Sequence, residues 1–304
     1  MSQRRKILPM LVLLLMLCTI GAQTAEDQSL LWKVSHPQSS HTSYIFGTIH
    51  LQDSTVFRQR DTVLTLLHTC TTFAAEIHLD SAQKIMMNPA VIMRSSGSLY
   101  DDLDTPTVRR LMTLVDKRMP GISALIPRLK PGALTALLAM GQHEATAPEA
   151  MDVFLWNLAK RKHRNTVGLE YVSEQIQLLD TMGVEGLKRI ARDTANEDAD
   201  DLQRMIVAYR NENLDDLTAM ASDTAVMAGN ERESLNDDRN HRLVDRMIPI
   251  LERGRTFVAV GALHLTGSES VIALLRQRGW TVAPVIGGQR SQWLTPAYLR
   301  GSRY

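Results

Sequence analysis

The residues best suited to chemistry come in matched pairs. Ile45-Phe46-Gly47-Thr48-Ile49-His50-Leu51 stands near the beginning of the chain, and Ala259-Val260-Gly261-Ala262-Leu263-His264-Leu265 near its end. Each is an apolar run followed by a glycine, two residues, a histidine and a leucine. Glycine in a β-type run permits a close backbone approach or a turn. A histidine at the carboxyl end of a strand stands where open α/β sheets hold their ligands. The second pair is acidic: Phe73-Ala74-Ala75-Glu76 and Thr166-Val167-Gly168-Leu169-Glu170 are small or apolar runs closing on a glutamate. A carboxylate at the end of a buried strand is costly unless it is paired or bound to a cation.

Two imidazoles and a carboxylate make a site for a catalytic divalent metal with an open position. Such an ion activates bound water by lowering its pKa. His50, His264 and Glu76 are therefore the expected metal ligands, with zinc, manganese or cobalt as candidate ions. Glu76 or Glu170 is the expected base for water, and Glu170 has the alternative of simply pairing with an arginine. A single Gly-x-x-His is a weak signal; two in matched strand contexts, with two strand-end glutamates, carry the reading.

For these residues to meet, the strands that precede them must lie side by side. Leu30–Val34 and Tyr44–Ile49 read as a hairpin with a polar loop, and Asp61–Cys70 as a short helix leading to a buried strand over Thr71–Ile77. A helical insert over about 82–162 is punctuated by prolines and includes helical segments at Val108–Met119, Ala133–Met140 and Met151–Arg161. Thr166–Glu170 is the next strand. Helices follow around Ser173–Thr181, from Val184 through Asp201–Tyr209, and over Asp237–Leu251. The acidic run Glu197, Asp198, Asp200 and Asp201 reads as a solvated helix start favoured by the macrodipole. Thr256–Val260 is a strand, Ser268–Arg278 an amphipathic helix, and Trp280–Val285 the last strand. Strands separated by helices predict an α/β fold with a mostly parallel central sheet, flanked by helices, and a helical insert between its two halves. If the strand ending at Glu76 continues, His78 and Asp80 share its face; a solvent-facing edge is the expectation for them.

The chain begins with Arg4, Arg5 and Lys6, then an apolar, leucine-rich run from Ile7 to Cys18, then small residues at Gly21, Ala22 and Ala25. That is the layout of a secretory signal peptide over residues 1–22, and the apolar run is short for a membrane span. A periplasmic or secreted protein is expected, with one domain over 23–290, a polar tail over 291–304 and no membrane span after signal removal; an uncleaved N-terminal anchor and a lipoprotein at Cys18 are the lesser alternatives. Loss of the leader removes Cys18 and leaves Cys70 alone, so no internal disulfide forms. Cys70 is read as an inert core thiol. The remaining chain, roughly 280 residues, is long enough to bury a large core. A net charge of +1 announces no basic face and argues against a nucleic-acid partner. Phosphate-binding glycine loops, His-Glu-x-x-His and Gly-x-Ser-x-Gly do not occur.

The Gly47–His50 and Gly261–His264 motifs, with Glu76 after a strand, resemble the TraB/GumN group that includes the Tiki proteases. The stretch from Phe257 to Val285, FVAVGALHLTGSESVIALLRQRGWTVAPV, is the most specific part, and Trp32–His50 and Gly168–Gln175 also fit. The resemblance spans nearly all of the mature chain. It implies that the paired motifs and a glutamate form the active-site set, and its Tiki members imply metalloprotease activity. Asp238-Arg239-Asn240 resembles an acidic-Arg-Asn element on a late helix of the family. That adds Arg239 to the expected catalytic residues, where a planar fork suits orienting carboxylates or steadying an oxyanion.

The expected function is a metal-dependent hydrolase acting on a peptide or protein substrate. Two other readings stand beside it. One is a cell-envelope regulatory protein that binds metal or ligand without turnover. The other is a metal-free, esterase-like hydrolase using a histidine base.

Overall fold

The computed structural model describes residues 28–57, 60–86, 88–140, 146–193, 199–223 and 229–285. The expected leader, the tail and the acidic pair Glu197 and Asp198 lie outside these residues. No described helix is long and apolar enough to cross a membrane.

β1 (Leu31–Ser35) and β2 (Ser43–Thr48) form the expected antiparallel hairpin, with Leu31 opposite Phe46. α1 (Arg60–Thr69) leads into β3 (Thr72–Ile77). The insert follows as α2 (Leu79–Met86), α3 (Pro89–Ile92), α4 (Thr105–Arg118) and α5 (Pro131–Met140). Its helices start where chemistry favours a start: Asp104 accepts from the Thr107 amide at 2.7 Å at the head of α4, with Pro106 in the first turn. Next come α6 (Met151–Arg161), β4 (Asn165–Glu170) and α7 (Val172–Asp193). The break read between Thr181 and Val184 is a kink in α7 at Gly183, whose φ of 51° is left-handed. The chain closes with α8 (Ala199–Arg210), α9 (Leu214–Asp223), α10 (Gly229–Arg253), β5 (Thr256–Gly261), a short 3-10 turn at Ala262–Leu265, α11 (Val271–Gln277) and β6 (Thr281–Pro284).

The six strands form one sheet in the order β4-β3-β5-β2-β1-β6. The pairs β4–β3, β3–β5 and β5–β2 are parallel, while β1 runs antiparallel to both of its neighbours. Only the β1–β2 link is a hairpin; each parallel pair needs a crossover, and helices supply it. The result is the mostly parallel α/β sheet, flanked by helices, that the sequence predicts. After Thr256, β5 is apolar, and its residues Thr256–Val260 are all buried, as befits a strand covered on both faces.

Aromatic rings tie the middle strands together. Phe73 and Phe257 are direct cross-strand partners and stack with centroids 6.2 Å apart, and Phe46 meets Phe257 at 6.5 Å. Trp156 of α6 packs edge-on to Phe73. Met151, Leu155, Trp156 and Ala159 belong to this main core, so α6 packs on the sheet rather than with the rest of the insert. The insert proper has its own core around Leu99, Leu111, Val115, Ile126 and Leu134, completed by Leu187 and Ala191 from beyond the α7 kink.

β3 stops at Ile77, so the alternation that placed His78 and Asp80 beside Glu76 does not continue. The chain turns into α2 instead. His78 packs edge-on to the Trp156 ring, and Asp80 binds Lys160 at 2.6 Å and the Trp156 indole at 3.1 Å. Both serve the α2–α6 contact.

Candidate active site at four strand ends

The parallel arrangement brings the carboxyl ends of β2, β3, β4 and β5 to one edge of the sheet. Glu76 and Glu170 are the penultimate and final residues of β3 and β4, His50 follows β2 by two residues, and His264 occupies the turn after β5. All four expected strand-end residues thus converge on the same edge, where open α/β sheets carry their sites.

Gly47 and Gly261 have different reasons for being glycine. A Cβ on Gly47 would lie 2.7 Å from Leu265 Cδ1 and 3.1 Å from the Ala262 backbone, so Gly47 lets the turn bearing His264 close onto β2. A Cβ on Gly261 would meet nothing nearer than Glu76 Oε2 at 3.5 Å, and its φ of −54° suits any residue. Packing does not require that second glycine. Its amide instead donates to Glu76 Oε2 at 3.2 Å.

Glu76 is at the centre of a dense network. Oε1 accepts from Gln175 Nε2 at 3.1 Å and from Arg239 Nη2, and lies 3.6 Å from His264 Nε2. Burial alone would raise its pKa, but His264, Arg239 and His50 outweigh that and hold the carboxyl well below its ordinary value. Glu76 is therefore ionised at neutral pH. Glu170, 4% exposed, is bound by Arg239 through two nitrogens, Nε to Oε1 at 2.9 Å and Nη2 to Oε2 at 2.8 Å, and Gln175 reaches Oε2 at 3.0 Å. Desolvation lowers the Arg239 pKa, yet the two glutamates more than reverse this and keep the guanidinium charged. Both readings of Glu170 meet here: it belongs to the site, and it pairs with an arginine.

His264 is 3% exposed and its tautomer is fixed. Asn240 donates through Nδ2 to the Glu269 carbonyl at 2.8 Å, so its Oδ1, 2.6 Å from His264 Nδ1, accepts the ring's Nδ1–H. In the neutral ring that leaves the lone pair on Nε2, the atom facing Glu76. A lone pair opposite a carboxylate oxygen needs a proton or a cation between them.

His50 stands at the open side. It lines a cavity of about 80 Å³ together with Thr48, Ala75, Glu76, Asp152 and Gln175. Its Nδ1 is 3.2 Å from Asp152 Oδ2, and its side chain is 64% exposed. Desolvation pulls the ring's pKa down, but Asp152 and Glu76 push it up to about 9. With so much of the ring in water, the neighbouring carboxylates and not enclosure set that direction.

The donor set suits a divalent ion in chemistry: His264 Nε2 and Glu76 Oε1 converge, and Asn240 is an outer partner of the kind that fixes a ligating histidine. His50 is across the cavity, and among the described residues no group of three or more His, Cys, Asp or Glu side chains is gathered around one point. Three contributors were not singled out from sequence: Gln175, Asn240 in its orienting role, and Asp152. His41 and His241 are engaged elsewhere, with the Leu251 carbonyl and with Glu269. Cys70 is buried and its thiol is pushed by burial up to about 11, consistent with an inert core residue.

A family model described as the TraB/PrgY/gumN family matches residues 30–284 of this chain. Comparison with curated proteins gives no match, and comparison with solved structures gives none either.

Proposed function

The chain belongs to the TraB/PrgY/gumN family, and from that premise we propose that it is a hydrolase of the cell envelope, periplasmic or secreted, acting on a peptide or protein substrate at the edge where β2, β3, β4 and β5 end. The observation that carries this reading is the single connected network of ionised and oriented groups there: Glu76, Glu170, Gln175, Arg239, Asn240 and His264. A network of this kind aims charge and lone pairs at one place without further reorganisation.

In this reading His264, Glu76 and His50 hold a divalent ion, with zinc, manganese or cobalt as candidates. Bound there, such an ion would acidify a coordinated water and polarise a carbonyl. The protein groups divide the remaining work. Asn240 holds the His264 ring with its Nε2 lone pair toward Glu76. Arg239 and Gln175 occupy both oxygens of Glu170, which makes Glu170 a positioning residue for Arg239; Glu76 is oriented in the same way, by Arg239 and Gln175 at Oε1 and by the Gly261 amide at Oε2. Arg239, charged and 17% exposed at its side chain, is placed to steady negative charge developing on a substrate oxygen.

A second reading is favoured by the saturation of Glu76 Oε1, which already takes Arg239 and Gln175. Under it, a histidine acts directly on water without a metal.

Equilibrium dialysis against zinc, manganese and cobalt tests the choice, using the chain lacking residues 1–22 beside its His50→Ala/His264→Ala variant. The metal reading expects one ion per chain, lost in the variant, and peptide hydrolysis that stops with chelator and returns with the ion. Full metal affinity in a His264→Ala variant overturns the ligand assignment. Chelator-insensitive hydrolysis selects the metal-free alternative.

A further inference from the structure

Asp152 lies in the first turn of α6, far in sequence from both Gly-x-x-His motifs, yet the fold delivers it to His50 by several fastenings. The loop after His50 is stitched to the segment that precedes α6: the Thr146 and Ala147 amides donate to the Gln52 carbonyl at 2.9 and 3.0 Å, and the Ser54 amide donates to Thr146 Oγ1 at 3.0 Å. On the other side, the buried Tyr209 hydroxyl donates to the Gly47 carbonyl at 2.6 Å and lies 3.3 Å from Met151 Sδ. The end of β2 and the start of α6 are thereby held as one unit. Asp152 Oδ2 then stands 3.2 Å from His50 Nδ1. Its other oxygen, Oδ1, is buried without a hydrogen-bond partner among the described residues, and the side chain lines the cavity shared with His50 and Glu76.

We infer that Asp152 is a positioning residue for His50: it accepts the Nδ1–H of the ring and so, in the neutral ring, makes Nε2 the lone-pair atom. The arrangement repeats what Asn240 does for His264, where the Nδ1–H is likewise taken by a side-chain oxygen, there from the helix that precedes β5. Each histidine of the repeated motif thus has an outer partner at the same ring nitrogen, and each presents the same atom for ligation or proton transfer. The inference deepens the hydrolase reading and rests on it for its functional meaning. An incidental surface ion pair would be worth little and would leave the ring free to exchange tautomers.

The test is ¹⁵N NMR of the histidine-labelled chain, metal-free, at a pH where the His50 ring is neutral. The parent is expected to show His50 protonated at Nδ1, with a pyridine-like Nε2. In Asp152→Ala that preference is lost and the Nε2–H tautomer grows. In the isosteric Asp152→Asn the bond is kept but weakened, so the Nδ1 tautomer survives and its proton signal moves upfield. The Asn variant keeps the question open to measurement if the Ala variant does not fold. An identical tautomer ratio in parent and Asp152→Ala, or an unmoved Nδ1 proton in Asp152→Asn, overturns the inference. A parallel metal titration is expected to show about 10–100-fold weaker binding in Asp152→Ala, the usual range for loss of an outer partner. Because the NMR arm needs neither metal nor substrate, a failed hydrolase reading would show as absent metal binding and turnover with the tautomer effect intact. A failed Asp152 assignment would show the reverse.

Discussion

Arg239 binds Glu170 side-on through Nε and Nη2, at 2.9 and 2.8 Å, while the same Nη2 also reaches Glu76. One guanidinium therefore compensates two carboxylates, Glu170 buried and Glu76 partly buried, that would otherwise repel one another. Removing one partner from such a network is far more damaging than the network's net contribution, because the remaining charges stay buried.

Arg239→Met is accordingly expected to destabilise the fold by about 3–5 kcal/mol in urea unfolding at pH 7. Arg239→Lys should recover only part of the loss, since a point charge cannot make the side-on pair. Arg239→Met/Glu170→Gln should be more stable than Arg239→Met alone. A small penalty, or no recovery in the double variant, would contradict the shared-charge account.

The two motif glycines should respond in opposite ways. Gly47→Ala must push the Ala262 backbone and the Leu265 side chain, at an expected cost of about 1–3 kcal/mol. Gly261→Ala should unfold within about 0.5 kcal/mol of the parent, as expected where no such clash exists. Its methyl would nonetheless stand against Glu76, so loss of activity or ligand binding at unchanged stability is the expected signature. Paired denaturation curves decide this; equal destabilisation by both substitutions would rule it out.

Asn240→Ala removes the acceptor for His264 Nδ1–H and the donor to the Glu269 carbonyl, both in a buried setting. A loss of about 1–3 kcal/mol is expected, with the His264 ring no longer confined to one tautomer by ¹⁵N NMR. Asn240→Asp should restore the ring's orientation while adding a charge beside it. If His264 keeps its tautomer in the alanine variant, some other group is holding it.

Acid should find a different weak point. Glu174 makes a two-point pair with Arg246, Oε1 to Nη2 and Oε2 to Nη1, each at 2.7 Å. The Arg246 hydrogen bonds, against a smaller opposing effect of burial, lower the carboxyl to about 2. A depressed carboxyl contributes stability above its unfolded pKa of 4.5 that disappears as pH falls toward 2. After solvent screening this amounts to about 1–2 kcal/mol. Glu174→Gln should therefore be less stable than the parent at pH 6 and equal to it near pH 2. A constant gap across that range would exclude the linkage.

Cys70 should ignore an alkylating reagent at pH 8 in the folded chain lacking residues 1–22, since the thiol is buried and its pKa is pushed up to about 11. Labelling should appear in step with urea unfolding, which makes this residue a reporter of the main core. Rapid labelling of the native chain would mean that the base of β3 opens locally.

The strands and the acidic and histidine residues at their ends were legible because each lies in a short apolar run with a recognisable stop. Glu76, Glu170, His50 and His264 needed only the inference that those runs are parallel neighbours. Arg239 came from family resemblance, since a lone arginine on a charged helix carries no local signal. Gln175 and Asp152 were not found for the same kind of reason: within VSEQIQLL and MDVFLW they look like ordinary polar positions near helix starts. Only the crossovers that lay α6 and α7 over the strand ends give them meaning. The end of β3 before His78 and Asp80 was not legible, because the chain passes from β3 into α2 without a glycine or proline to mark the turn.

The strand order has a temporal consequence. β5 lies between β3 and β2, so the strand carrying Glu76 and the strand leading to His50 are not neighbours in the sheet and are bridged by a segment much later in the sequence. While the polypeptide is being made, its first half holds only part of the candidate site, with a gap through the middle of the sheet. The late strand closes that gap and brings His264 with it, so completion of the sheet and completion of the site are one event. A nascent or C-terminally clipped chain without β5 therefore lacks both a continuous sheet and the turn that bears His264.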